Sequence, residues 1–304
     1  MTGDVGGVGA GLTSRTALRI LELACDATGL DKRCAVLIRM GENALFRLAS
    51  TPLVVRIARS KEYLPRVLNE VAVSRWLAAE EFPAARVVDE IDQPVLVAGH
   101  PVTFWHLITQ DDREATYGEL GRTLRSLHAL KPPARLRLPA FDAFGRTELR
   151  IQRAPIQERD RTFLRHRVSQ LREELAGVRF DSVPTPIHGD AHSQNLMVDS
   201  TGRVVLIDFE NVSFDHPEWD LMVTAVEHHS LRWQSPAQYA EFVAAYGRDL
   251  RQWPGYETMR RIQELRMTTW LMQNIIESDA VADEYRRRIA ALRDDRAIRN
   301  WQPA

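Results

Sequence analysis

Three side chains in the second half of the chain, Asp190, Asn195 and Asp208, have the types and spacing that handling a phosphate group would need. Asp190 and Asn195 lie in the run Pro186-Ile187-His188-Gly189-Asp190-Ala191-His192-Ser193-Gln194-Asn195-Leu196-Met197-Val198, apolar and strand-like at both ends and polar in the middle. A short loop containing Gly189 can aim both side chains into one cavity. Asp208 comes thirteen residues after Asn195, at the end of the apolar run Val204-Val205-Leu206-Ile207. In phosphoryl transfer one carboxylate orients the attacking hydroxyl, while an amide oxygen and a second carboxylate hold Mg²⁺ against the nucleotide phosphates. The same loop admits a second chemistry. His188, Asp190 and His192 alternate as metal ligands of some hydrolases do, although His216, His228 and His229 fall in no recognisable ligand spacing. It also admits a plain structural role, a loop of caps around a buried histidine.

The elements that must position these groups can be read around them. Leu196–Val198 and Val204–Ile207 form a hairpin over Asp199-Ser200-Thr201-Gly202, which brings Asn195 and Asp208 to one end of two strands. Upstream, Leu53–Ala58 reads as a strand whose alternation puts Leu53, Val55 and Ile57 on one face and Val54, Arg56 and Ala58 on the other. A helix over about 66–79 carries Val67, Glu70, Ser74 and Leu77 on its core-facing stripe. A carboxylate there needs a partner, and Arg56 is the natural one. Before them come a helix that Ser14 can cap, running to about Thr28 with Leu18, Leu21, Leu23 and Ala24 as its apolar face, and strands over 34–40 and 45–48. These strands flank the turn Gly41-Glu42-Asn43-Ala44. Strands are expected at 87–88, 95–97 and 101–108, and a capping box at Thr116 and Glu119 opens a helix through Leu130 in which His128 is a packed residue. Residues 134–150 read as loop and 156–175 as a charged amphipathic helix. Further helices are expected from Pro217, from Ser235-Pro236 to about Gly247, over 254–278 and over 280–296.

The pattern H-G-D-x-x-x-x-N followed by I-D-F-E resembles the aminoglycoside phosphotransferase and choline kinase branch of the protein-kinase-like superfamily. The resemblance covers roughly residues 30–280. It implies an α+β, two-lobed protein-kinase-like fold: a flexible tail over 1–12, a small N-lobe of antiparallel sheet plus helix over 13–107, and a larger, mainly helical C-lobe over 108–304. It implies that Asp190 is the catalytic residue, that Asn195 and Asp208 hold Mg²⁺, and that ATP or GTP is the phosphoryl donor. Arg56, fixed by Glu70, would neutralise phosphate charge where most of the family uses Lys. The turn with Asn43 would lie over the phosphates, and backbone groups near Trp105 and Leu107 would meet the adenine edge. His188 and Asp220, the latter in a W-D-L pattern, would support the catalytic loop. The acceptor implied is a small hydroxylated molecule. An antibiotic of aminoglycoside or of sugar or nucleoside type is the first expectation, and a metabolic alcohol or sugar the alternative. A nucleotide-binding pseudokinase and a metal-dependent hydrolase stand behind these. Acidic residues that a cationic acceptor would want are available at Glu227, Glu277, Asp279, Asp283 and Glu284, with Arg266 and Arg286 among them.

Composition sets outer bounds. A length of 304 residues with 44% apolar and 27% charged side chains suits one large domain or two lobes with a sizeable core. The net charge of −1 gives no electrostatic case for nucleic acid or an acidic membrane. Cys25 and Cys34 are expected to be reduced thiols of a cytoplasmic protein, a monomer or homodimer. No apolar run approaches membrane-spanning length.

Overall fold

The computed structural model describes residues 12–41, 43–276 and 278–303. The expected tail is thereby outside the described residues except for Leu12, as are Glu42 and Glu277. The chain divides into two compact units. Unit 1 takes the described part of Met1–Glu114 together with Pro132–Arg137 and Leu196–Val212; unit 2 takes Ala115–Lys131, Leu138–Asn195 and the described part of Ser213–Ala304. The units are therefore interleaved, where a single boundary after residue 107 was expected.

Unit 1 opens with helix α1 (Ser14–Thr28), which stops at Gly29 in the left-handed region at φ 70°. Thr13, not Ser14, is its cap, accepting from Thr16 N. Its buried face is Ala17, Ile20, Leu21, Ala24 and Cys25, so the expected face is turned: Leu18 and Leu23 are exposed. The i, i+3, i+4 recurrence puts Ala17, Ile20, Leu21, Ala24 and Cys25 on one stripe, and Leu18 and Leu23 fall beside it. Strands β1 (Val36–Met40), β2 (Asn43–Arg47), β3 (Leu53–Ala58), β4 (Val95–Val97) and β5 (His100–His106) form one antiparallel sheet in the order β1-β2-β3-β5-β4. On β3, Leu53, Val55 and Ile57 join Phe104 of β5 and the α1 face in one apolar cluster. Period-two alternation then leaves Val54 and Arg56 on the opposite face. Residues 87–88 are no strand; Val87 makes one isolated bridge to Trp105. Helix α2 (Leu64–Ala79) buries Val67, Glu70, Ser74 and Leu77, with Val71, Val73 and Trp76 beside them.

Unit 2 begins with α3 (Tyr117–His128), opened by the Thr116–Glu119 capping box. Residues 147–150, expected as loop, belong to the short helix α4 (Thr147–Arg153), and α5 spans Glu158–Ala176. Strand β6 (Thr185–Ile187) leads into the loop of Asp190. In unit 1, β7 (Leu196–Val198) pairs with β8 (Val204–Leu206), Leu196 opposite Leu206. Back in unit 2, β9 (Ser213–Asp215), absent from the sequence reading, pairs antiparallel with β6. Helices α6 (Glu218–His229), α7 (Pro236–Tyr246), α8 (Tyr256–Leu271) and α9 (Asp279–Arg293) complete the unit. The helix expected over 254–278 ends at Leu271 and gives way to a tighter turn, Met272–Asn274. The last residues then fold back on α8 and α9. Arg288, its side chain 2% exposed, binds Glu284 and donates to Gln302 O at 2.6 Å, and Arg299 meets Glu264 of α8 at 3.2 Å.

Close packing of α3 on α7 depends on glycine. A Cβ at Gly121 would stand 2.7 Å from Phe242 O and 3.0 Å from Ala245 Cβ. Replacing Gly121 with Ala should therefore destabilise the protein by about 1–3 kcal/mol through overpacking, although Ala is the better helix former by ~1 kcal/mol. Urea unfolding of the variant checks this; a gain in stability would mean that α7 yields freely.

Candidate active site

In unit 2 the loop of residues 188–195 hangs from one buried carboxylate. Asp220, fully buried on α6, accepts from His188 N and Gly189 N, each at 2.7 Å. His128 Nε2, at the end of α3, lies 2.9 Å from the same carboxylate, and its Nδ1 lies 2.9 Å from Tyr246 Oη on α7. Gly189 turns through φ 78°, a conformation that suits glycine, and this turn presents both N–H groups to Asp220. Asp190 comes next. Asn195 Nδ2 donates to Asp190 O at 2.8 Å and stands 3.2 Å from His192 Nε2. The amide nitrogen is thus committed, and the amide oxygen is the end left to accept or ligate.

Asp190 has cationic and polar company. His192 Nε2 is 3.7 Å from its Oδ2, and Arg266 of α8 reaches Gly189 O at 3.4 Å while its guanidinium lies 4.9 Å from the Phe141 ring centroid. Burial pushes the Asp190 carboxyl up, but His192, then Arg266 and His188, more than offset it and hold it below the ordinary range. The group is thereby an ionised acceptor at neutral pH, as proton abstraction from a hydroxyl requires. Glu227 lies two turns beyond Asp220 on α6. Burial raises its carboxyl to about 7, with His192 and the hydrogen bond from Gln234 lowering it and Asp190 raising it. Of the other acids proposed for an acceptor, Asp283 pairs with Arg286, while Glu284 binds Arg287, Arg288 and Gln302 N.

Unit 1 supplies a second cluster around Arg56. Its guanidinium binds Glu70 directly, Glu210 Oε2 at 3.2 Å and Asp208 Oδ1 at 3.7 Å. Asn43, with its amide oxygen turned to the guanidinium, accepts from Nη2 at 2.7 Å and Nε at 3.1 Å. Burial opposes the charge on Arg56, but Glu70, Asp208 and Glu210 together hold it above the ordinary arginine range. Burial pushes the Glu70 carboxyl up to about 7, against the pull of Arg56. Asp208 adopts the left-handed region at φ 64°, ψ 71°, a strained conformation for a non-glycine residue of the kind that collects at functional sites.

The donor set suits Mg²⁺, a hard cation that takes oxygen ligands and few protein side chains. Asp208 Oδ1 is buried and receives no hydrogen bond among the described residues, its nearest charge being Arg56. Among the described residues no group of three His, Cys, Asp or Glu side chains could hold a metal ion. Trp105 is buried, its indole N–H bonded to Thr103 Oγ1, and its ring packs 6.2 Å from that of Phe209. The Leu107 N–H donates to Pro52 O at 2.7 Å, so the carbonyl is the backbone group of Leu107 left for a base. Sequence reasoning gave no role to Glu210, although the I-D-F-E string contains it, nor to Phe141. It read His128 as packing, without its bond to Asp220, and Arg266 only as a charge among acids.

The chain belongs to the phosphotransferase enzyme family, whose sequence model matches residues 39–262, well over half of its length. It is thus a phosphotransferase with an alcohol group as acceptor. Solved structures share its fold. An amicoumacin kinase in complex with AMP-PNP and Ca²⁺ superposes with a TM-score of 0.69 at 14% identity, covering 92% of this chain and 95% of that one. A microcompartment-associated aminopropanol kinase gives 0.68 at 20% identity, over 90% and 95%. The choline kinase LicA from Streptococcus pneumoniae gives 0.62 at 15% identity, over 90% and 99%. Comparison with curated proteins finds no match. Among the described residues, no helix is long and apolar enough to cross a membrane.

The raised Glu227 carboxyl has a measurable signature. An acid whose folded pKa exceeds its unfolded value of 4.5 favours folding below that value and withdraws the contribution as pH climbs through about 7. Glu227→Gln keeps an acceptor for Gln234 and removes the charge. It should match the parent in urea unfolding at pH 4 and exceed it at pH 8 by roughly 2–3 kcal/mol. Equal pH dependence of the two proteins would show that Glu227 is well solvated.

Proposed function

We propose that the protein transfers the γ-phosphoryl group of ATP to a hydroxyl of an antibiotic, with Mg²⁺ as cofactor. The observation that carries the phosphoryl-transfer reading is the Arg56 cluster. One buried guanidinium is shared by Glu70, Glu210, Asp208 and Asn43, and Asp208 has a buried oxygen that no donor among the described residues satisfies. Arg56 would neutralise phosphate charge, and Asp208 and Asn195 would hold Mg²⁺, which when bound screens the charge of the β- and γ-phosphates. On the acceptor side Asp190 takes the hydroxyl proton and aligns the oxygen. That oxygen forms a bond to the γ-phosphorus as the bridging oxygen of the donor leaves with ADP. Because such transition states are loose, alignment is the main contribution of Asp190, and base assistance adds about 10²–10⁴ in rate. The antibiotic is favoured by the likeness to the amicoumacin kinase and to a spectinomycin phosphotransferase. A metabolic amino alcohol is the second reading, favoured by the aminopropanol and choline kinases.

Screening ATP consumption across hydroxylated antibiotics and cellular alcohols, with mass detection of an added phosphate, separates the two readings. Asp190→Ala should keep nucleotide affinity within about twofold and lower kcat by at least ~10²-fold, whereas Asp208→Ala should weaken Mg·ATP binding itself. Undiminished turnover in Asp190→Ala would remove the proposed chemistry.

A further inference from the structure

Unit 1 contains a second cleft that shares one wall residue, Leu107, with the groups assigned to phosphoryl transfer. Its volume is about 350 Å³, and three stretches wall it: residues 83–86 after α2, residues 106–109 after β5, and the β7–β8 turn with Arg203. Neither Asn43, Arg56 nor Glu70 lines it. Two guanidiniums do, and both lack a carboxylate bound to them among the described residues. Arg86 Nη2 donates to Phe82 O at 2.6 Å, but its Nη1 is buried with no hydrogen-bond partner among the described residues. Arg203 is exposed and lies close enough for its charge to act on Arg86.

Two acids lie nearby, and the charge of Arg203 acts on one of them, Asp199. Asp89 is held by Arg75 Nε at 3.7 Å. Asp199, on the cleft wall, spends Oδ1 on Thr201 N, Thr201 Oγ1 and the backbone N–H of Arg203. Burial, then Arg203, moves Arg86 below the ordinary arginine range, with Asp89 opposing weakly. A buried unsatisfied donor on a cation costs the full desolvation of that group, and a second cation beside it adds repulsion. An anion in the cleft offsets the repulsion, since planar guanidiniums present paired N–H groups matched to phosphate oxygens. The Thr109 and Ser200 side chains on the same wall bring two hydroxyl donors, and Ser200 N ties these stretches together by donating to Thr109 O at 2.8 Å.

We propose that this cleft is an anion site, in which Arg86 and Arg203 bind a phosphate-bearing small molecule against the hydroxyls of Thr109 and Ser200. The site takes free phosphate or a phosphomonoester, and its ligand is bound apart from the Arg56 cluster. Titration calorimetry at constant ionic strength, with inorganic phosphate and with glycerol phosphate as separate probes, tests it. The parent should bind at least one probe at millimolar concentration. The tighter of the two identifies free or esterified phosphate as the ligand. Arg203→Gln, an exposed change that leaves folding intact, should weaken binding about tenfold, equivalent to about 1.4 kcal/mol. Arg59→Gln, an exposed change outside the cleft, should leave it unchanged. The proposal fails if the parent binds neither probe, if Arg203→Gln binds as the parent does, or if Arg59→Gln weakens binding as much as Arg203→Gln.

Discussion

The fully buried carboxylate of Asp220 is the constraint on which the rest of unit 2 depends. It takes two backbone N–H groups from the turn before Asp190 and the imidazole of His128. Hydrogen bonds to a charged group are worth about 1.5–3 kcal/mol each, and a buried carboxylate without them would be untenable. The chain of causes runs backwards through the sequence. Gly121 lets α3 approach α7, the approach sets His128 between Tyr246 and Asp220, and Asp220 then fixes the path of the loop. Asp190 owes its place to a residue thirty positions later in the chain.

The Arg56 cluster follows a different logic. A lysine would have to reach Glu70, the Asp208 and Glu210 pair and Asn43 from a single nitrogen with three N–H groups. The guanidinium does so with its three nitrogens. The departure from the family's usual lysine is therefore accompanied by a set of acceptors suited to a fork. Three carboxylates around one cation also leave excess negative charge, which is the electrostatic condition under which a divalent ion is welcome.

Much of this was legible in the sequence where the signal is local. The strand Leu53–Ala58 has the expected bounds, the capping boxes at Thr116 and Ser235 open α3 and α7, and Gly247 closes α7 at φ 98°. The loop of Asp190 and Asn195 stands out in the sequence because its polar side chains are compressed into eight residues. What escaped depends on distant partners. A three-residue strand such as β9 has too few positions to show a period and exists through β6. The face of α1 differs from the expected one because Leu18 and Leu23 lie off the stripe of Ala17, Ile20, Leu21, Ala24 and Cys25. Arg266 came without a clue to its place, since nothing in α8 announces that its guanidinium will stand over Phe141 beside Asp190.

The interleaving of the two units bears on how the polypeptide is made. Unit 1 draws on Leu196–Val212, so its last pieces leave the ribosome only after two-thirds of the chain has been synthesised. The five-stranded sheet and α1 can collapse early on their own local contacts, while β7 and β8 must arrive late and dock where Leu206 N meets Pro83 O and Leu206 O meets Ala85 N. Domains ordinarily fold as contiguous blocks in order of synthesis. Here the first block waits for a strand pair embedded in the second, and neither can be excised as one continuous piece.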